Sequence, residues 1–152
     1  MAVFAAYILS AVLIGAVMAH CAVAAPKLQR GELELMARVV QRESTGESAL
    51  GQKAVAWTVI NRLREPEVYG ATVTKILTRK YQYAKPAPAD DSSPAHLRAM
   101  LATVEALLGV GGDPSNGSTH FLRCDLRPQP AWARRFERRA VLGHHCFYRS
   151  RN

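Results

Sequence analysis

Glu43-Ser44-Thr45-Gly46-Glu47-Ser48-Ala49-Leu50-Gly51-Gln52-Lys53-Ala54-Val55-Ala56-Trp57-Thr58-Val59-Ile60-Asn61-Arg62 sets a carboxylate at the junction of two apolar helical segments. Upstream, Leu33, Met36, Ala37 and Val40 follow the i, i+3, i+4, i+7 spacing of a core-facing stripe, which predicts a helix over residues 32–42. Seven positions beyond Met36 the helix has turned back to within ~20° of the same direction, so a helix reaching that far points Glu43 inward. Burial disfavours the charged form of a carboxyl, and a carboxyl that keeps its proton near neutral pH is what cleavage of a glycosidic bond requires. Glu47 is the competing acid, or the second carboxylate of a hydrolytic pair; Gly46 between them leaves its direction unreadable.

The chain has 152 residues, and between Met1 and Pro26 there is no Asp, Glu, Lys or Arg. Residues 1–25 read as a signal peptide, with cleavage expected after Ala24 in the small-x-small run Ala22-Val23-Ala24, or as an uncleaved N-terminal membrane anchor, since no cation precedes the apolar run. A buried N-terminal helix is the third reading. Cys21 does not make a lipoprotein signal. Residues 26–152 then form one catalytic domain with one modest core. The protein is expected to be exported to the periplasm or beyond, with membrane association through residues 2–25 if the leader is retained.

Without the leader, Cys124 and Cys146 remain, an even count suited to an oxidising compartment and therefore a disulfide candidate; two small buried thiols are the alternative. The net charge of +8 lies wholly after the leader. It favours an anionic polymer or surface, or serves as a solvated basic exterior, and export argues against nucleic acid as the partner.

Ser48 is a reasonable N-cap for a second helix over residues 49–64, apolar around most of its girth and so expected to be the central, best buried element. A short segment with Val73, Ile76 and Leu77 follows, then a loop rich in Pro and Asp. Ser93 and Pro94 open a third helix with Leu97, Leu101, Val104 and Leu108 predicted inward. Residues 119–122 read as a short strand, 131–140 as a basic helix, and 146–148 as a second short strand. The predicted class is α+β, mainly helical, with a two-stranded element near the C-terminus.

The stretch from Val39 to Arg62, with Gly46-Glu47, Gly51-Gln52, Ala54-Val55-Ala56 and Asn61-Arg62, resembles the bacterial cell wall hydrolase family typified by the spore cortex-lytic enzymes. Three further blocks resemble it in the same order: Gln82-Tyr83, then Gly117-Ser118-Thr119-His120-Phe121, then Pro130-Ala131-Trp132 leading to Gly143-His144-His145-Cys146-Phe147-Tyr148-Arg149. The resemblance implies a lysozyme-like or lytic-transglycosylase-like core, peptidoglycan as substrate, and a catalytic Glu at Glu43. It does not imply sporulation. Ser44 departs from the family's usual Ala, and the loop after Gln82-Tyr83 departs in composition.

Around that acid, Asn61 offers an amide for the acid or a sugar, and Arg62 a guanidinium that holds a loop or meets the carbonyls at its helix end. Gln82 joins the substrate-binding candidates through its block. Tyr83, Phe121, Trp132 and Tyr148 present faces on which sugar rings could lie, or pack in the core. His120 and His145 are candidate hydrogen-bonding groups beside the cleft. A zinc site is not expected, because adjacent His144 and His145 on a strand point to opposite faces and no His-x-x-x-His or Cys-x-x-Cys pair occurs. No cofactor is expected, and a monomer is. The function expected is cleavage of the glycan strand by transglycosylase or muramidase chemistry; an N-acetylmuramoyl-L-alanine amidase or a non-catalytic envelope-binding module are the alternatives.

Overall fold

The computed structural model describes residues 26–90 and 92–151. The leader expectation falls outside that range, and no described helix is long and apolar enough to cross a membrane.

Helix α1 (Glu32–Glu43) buries Met36, Ala37, Val39 and Val40, and its last residue is Glu43 itself. Ser44 ends it, with its backbone N–H and its hydroxyl both donating to the Val40 carbonyl. The departure from Ala at this fully buried position is therefore satisfied locally. Helix α2 (Ala49–Leu63) starts at Ser48, whose hydroxyl accepts from Gly51 N at 3.3 Å. Every residue from Gly51 to Arg62 is buried, so α2 is the axis on which the rest packs. Two short helices follow, α3 (Pro66–Tyr69) and α4 (Val73–Thr78).

Helix α5 (Pro94–Leu107) opens on Ser93, which accepts from His96 N at 3.1 Å. It packs against both α1 and α2. Its inward face is the reverse of the sequence expectation: His96, Ala99, Ala102, Thr103 and Ala106 are buried, whereas Leu97, Leu101 and Leu108 are 55%, 60% and 68% exposed. In the core cluster that holds Ala99 and Ala106 of α5, α1 and α2 supply bulky side chains such as Met36, Val39, Val55 and Val59. In a close-packed core α5 then contributes small partners, and its leucines fall on the adjacent stripe.

The sheet has three strands, in the order β1-β3-β2, rather than the two expected. They are β1 (His120–Arg123), β2 (Glu137–Leu142) and β3 (His145–Arg149), paired antiparallel. The basic helix expected over 131–140 is only α6 (Ala131–Arg135); Phe136 turns extended and the chain becomes β2. The pairing of β2 with β3, closed by the two-residue Gly143-His144 turn, overrides the local helical preference of Glu-Arg-Arg-Ala. One face of the sheet lays Phe121 and Phe147 on the helical core. The other gathers Leu122, Cys146 and Tyr148 with Ala133, Trp132 and Phe136 around α6. There Cys124 and Cys146 are joined, with Cα atoms 5.1 Å apart.

Candidate active site

The end of α1, the segment after α4, β1 and α6 enclose a cleft of about 270 Å³ lined by Glu43, Arg62, Tyr81, Gln82, His120, Phe121 and Trp132. Glu43 is the one carboxylate in that lining. Its Oε1 accepts a hydrogen bond from the Ala84 N–H. The loop that supplies this donor is pinned to α1 a second time, by Arg38 Nε to Ala87 O at 2.6 Å and Ala87 N to Arg38 O at 3.1 Å. Burial raises the Glu43 carboxyl above its ordinary value, against the Ala84 hydrogen bond and the charges of Arg62 and Arg42.

Arg62 is buried at the far end of α2, with Nε donating to Thr119 O at 2.7 Å and its guanidinium 4.7 Å from the Tyr83 ring centre. It thus ties β1 to α2 and brings a positive charge to the cleft. The His120 ring stands 5.2 Å from Trp132 and 4.9 Å from Phe136, with Nδ1 3.0 Å from the Thr119 hydroxyl. Burial, aided by the Arg62 charge, pushes its pKa down to about 4, so at neutral pH it is an uncharged hydrogen-bonding ring.

Of the residues singled out from sequence, Arg62, Gln82, His120, Phe121 and Trp132 line the cleft with Glu43. The others stand behind it. Tyr83 lies under Arg62 with its hydroxyl 3.1 Å from that of Thr58, and Tyr148 backs Trp132 at 5.5 Å. Asn61 is buried in a clamp on the 113–118 turn: its Nδ2 donates to Asp113 Oδ2 at 2.8 Å and to Ser118 O at 3.0 Å. Asp113 in turn accepts from the backbone of Ser115 and Gly117, each at 2.8 Å, so the clamp fixes the turn that delivers β1. His145 is buried against Phe121, and burial lowers its pKa. Glu47 faces the β2–β3 turn: its side chain is 4% exposed, and its Oε1 accepts from His144 N at 3.1 Å. Among the described residues, no three of His, Cys, Asp and Glu are gathered to hold a metal.

One cleft residue escaped the sequence reading. Tyr81 is 88% exposed and sits at φ 64°, and neither property follows from residue type. The signal that could have pointed to it is a large aromatic beside Lys80, one position before the Gln82-Tyr83 pair.

A family model described as Cell Wall Hydrolase matches residues 46–148. The chain belongs to the cell wall hydrolase family. Glu43 lies three positions before the matched region, so its assignment draws on its place in the cleft. A curated relative in this family, a spore cortex-lytic enzyme of Halalkalibacterium halodurans, is 30% identical over 117 residues, which are 76% of this chain and 34% of the relative. The chain therefore spans about a third of that protein's length. Two solved structures share the fold. The catalytic domain of the Bacillus cereus SleB protein matches with a TM-score of 0.66 at 23% identity, over 81% of this chain and 93% of that one. The catalytic domain of the germination-specific lytic transglycosylase SleB from Bacillus anthracis matches with a TM-score of 0.64 at 22% identity, over 80% and 96%.

Proposed function

We propose that this cell wall hydrolase domain cleaves the glycan strand of peptidoglycan, with Glu43 as the acid that protonates the glycosidic oxygen. The observation that carries this reading is a half-buried carboxyl, raised in pKa, as the one acidic group in a cleft walled by Trp132, His120 and Arg62. Proton donation leaves oxocarbenium-like charge on the sugar and a carboxylate on the enzyme. The Ala84 N–H and the Arg62 charge stabilise that carboxylate as it forms. With no second carboxylate in the lining to activate water, the ionised Glu43 takes the proton of the sugar's own C6 hydroxyl, and an anhydro ring closes. This favours the lytic transglycosylase route over paired-carboxylate hydrolysis. Trp132 offers a flat face to a sugar ring, and neutral His120 and the Gln82 amide offer hydrogen bonds.

The same reading places the working protein outside the cytoplasm, delivered by residues 1–25 as leader or anchor, as a monomer without a cofactor. Digestion of purified sacculi followed by mass spectrometry tests it. Anhydro sugars are expected among soluble products. Reducing sugars would mean a muramidase, free stem peptides an amidase, and sedimentation with the sacculi without any release a binding module.

A further inference from the structure

A second concavity meets the cleft at one residue. It is a groove of about 380 Å³ whose floor includes Leu35, Leu77 and Tyr83 and whose rim carries Lys80 and Lys85. Tyr81 lines both spaces. Ala84, whose N–H holds Glu43, lines the groove as well, so the wall between the two is the segment that positions the acid.

Tyr81 stands away from the core. Its φ of 64° is in the left-handed region, disfavoured for a residue with a bulky side chain, and its ring is 88% exposed. Lys80 Nζ lies over that ring, 4.9 Å from the centroid. An aromatic held out between two cavities gains nothing from the core and is suited to a ligand that passes over it.

We propose that the groove is a subsite for the acidic stem peptide that branches from the glycan strand, with Tyr81 at the branch point; the inference rests on the glycan-strand reading above. A stem peptide combines aliphatic side chains with free carboxylates. The floor is apolar, and Lys80 and Lys85 are exposed and form no ion pair with any described acidic residue. Two exposed ammonium groups above an apolar floor match that chemistry. Adjacency supplies the geometry: a peptide attached to a sugar in the Glu43 cleft leaves it beside the attachment point, and Tyr81 borders both spaces.

The test compares glycan strands bearing stem peptides with strands stripped of them, using wild type and the Lys80→Glu/Lys85→Glu variant. The reversal of charge should lower the ratio of kcat/KM for peptide-bearing over stripped strands at least tenfold, mainly through KM. A ratio unchanged within twofold would overturn the subsite. A second arm titrates the isotopically labelled protein with the isolated stem peptide. Amide shifts centred on residues 77–86 in wild type, and lost in the variant, are expected; shifts absent or confined elsewhere would overturn it. Wild type that turns over neither strand would sink the glycan-strand reading, and the titration would still decide the groove.

Discussion

The Glu47 carboxylate fills the space that a side chain on residue 143 would need: a Cβ built on Gly143 would lie 1.7 Å from Glu47 Oε2. The acid on the α1–α2 connection thus plugs the β2–β3 turn, which it also holds through His144 N. Gly143 is at φ 55° as well, so Ala meets both a steric block and a disfavoured backbone. Gly143→Ala should cost about 2 kcal/mol or more in urea unfolding. Combined with Glu47→Ala, which removes the blocking group, the losses should be clearly less than additive. Strict additivity would show that the two residues do not share this space.

Glu43→Gln should lower activity on sacculi by two orders of magnitude or more, because the amide keeps the shape and the acceptor for Ala84 N–H but has no proton to donate. The same variant has a stability signature. A carboxyl raised above its ordinary 4.5 contributes stability that is fully present below that pH and lost as pH rises through the folded value. The Gln variant should therefore melt higher than wild type at pH 7, and the gap should close towards pH 4. A variant that retains most activity would point to Glu47 as the acid.

His120 has the opposite sign. With a folded pKa of about 4 against an ordinary 6.5, it contributes stability that is present above pH 6.5 and lost as pH falls through 4. His145, also depressed by burial, adds to the same acid limb. Between pH 7 and pH 4 the urea midpoint of wild type should lose ground relative to that of His120→Gln, whatever the opposing contribution of Glu43. Equal slopes in the two proteins would mean that His120 is not buried as a neutral ring.

Asn61→Ala should destabilise by about 2 kcal/mol or more, since it strips Asp113 Oδ2 and Ser118 O of a buried donor and leaves Arg64 Nη1 without its 3.0 Å acceptor. Because the clamp delivers β1, activity should fall with it, although Asn61 does not line the cleft. Urea unfolding beside a sacculus-clearing assay measures both, and a stable variant with lost activity would instead place Asn61 in contact with substrate.

Reduction of Cys124–Cys146, 22 residues apart in sequence, should cost roughly 2 to 4 kcal/mol by freeing the denatured chain. Intact mass before and after alkylation, under denaturing and non-reducing conditions, reports the state. Two labels on protein lacking residues 1–25 would mean free thiols, and reductant should then leave the melting temperature unchanged.

What the sequence disclosed was mostly local chemistry. Ser48 and Ser93-Pro94 name their helix starts because a hydroxyl and a ring act within one turn. The Met36–Val40 stripe carried the inward direction on to Glu43 for the same reason. On α5 two apolar stripes lie side by side, one of leucines and one of alanines, and the choice belongs to the bulk of the helices opposite. Strand β2 reads as helix because its pairing with β3, across a turn that Glu47 contacts from far away in sequence, is not visible in its own residues. The cleft aromatics were visible as residue types, and the blocks shared with the family gave them an order. The exposure of Tyr81 is set by backbone conformation, which no residue letter announces.

Helix α1 holds Glu43 at its last turn and, through Arg38, also grips the loop whose Ala84 N–H tunes that acid. Acid and tuning donor are therefore mounted on one rigid part, while His120 and Trp132 ride on the sheet and α6. On the glycan-strand reading, a sugar that presses on the His120 and Trp132 wall would meet side chains carried by other elements, and the hydrogen bond between Ala84 and Glu43 would stay in place.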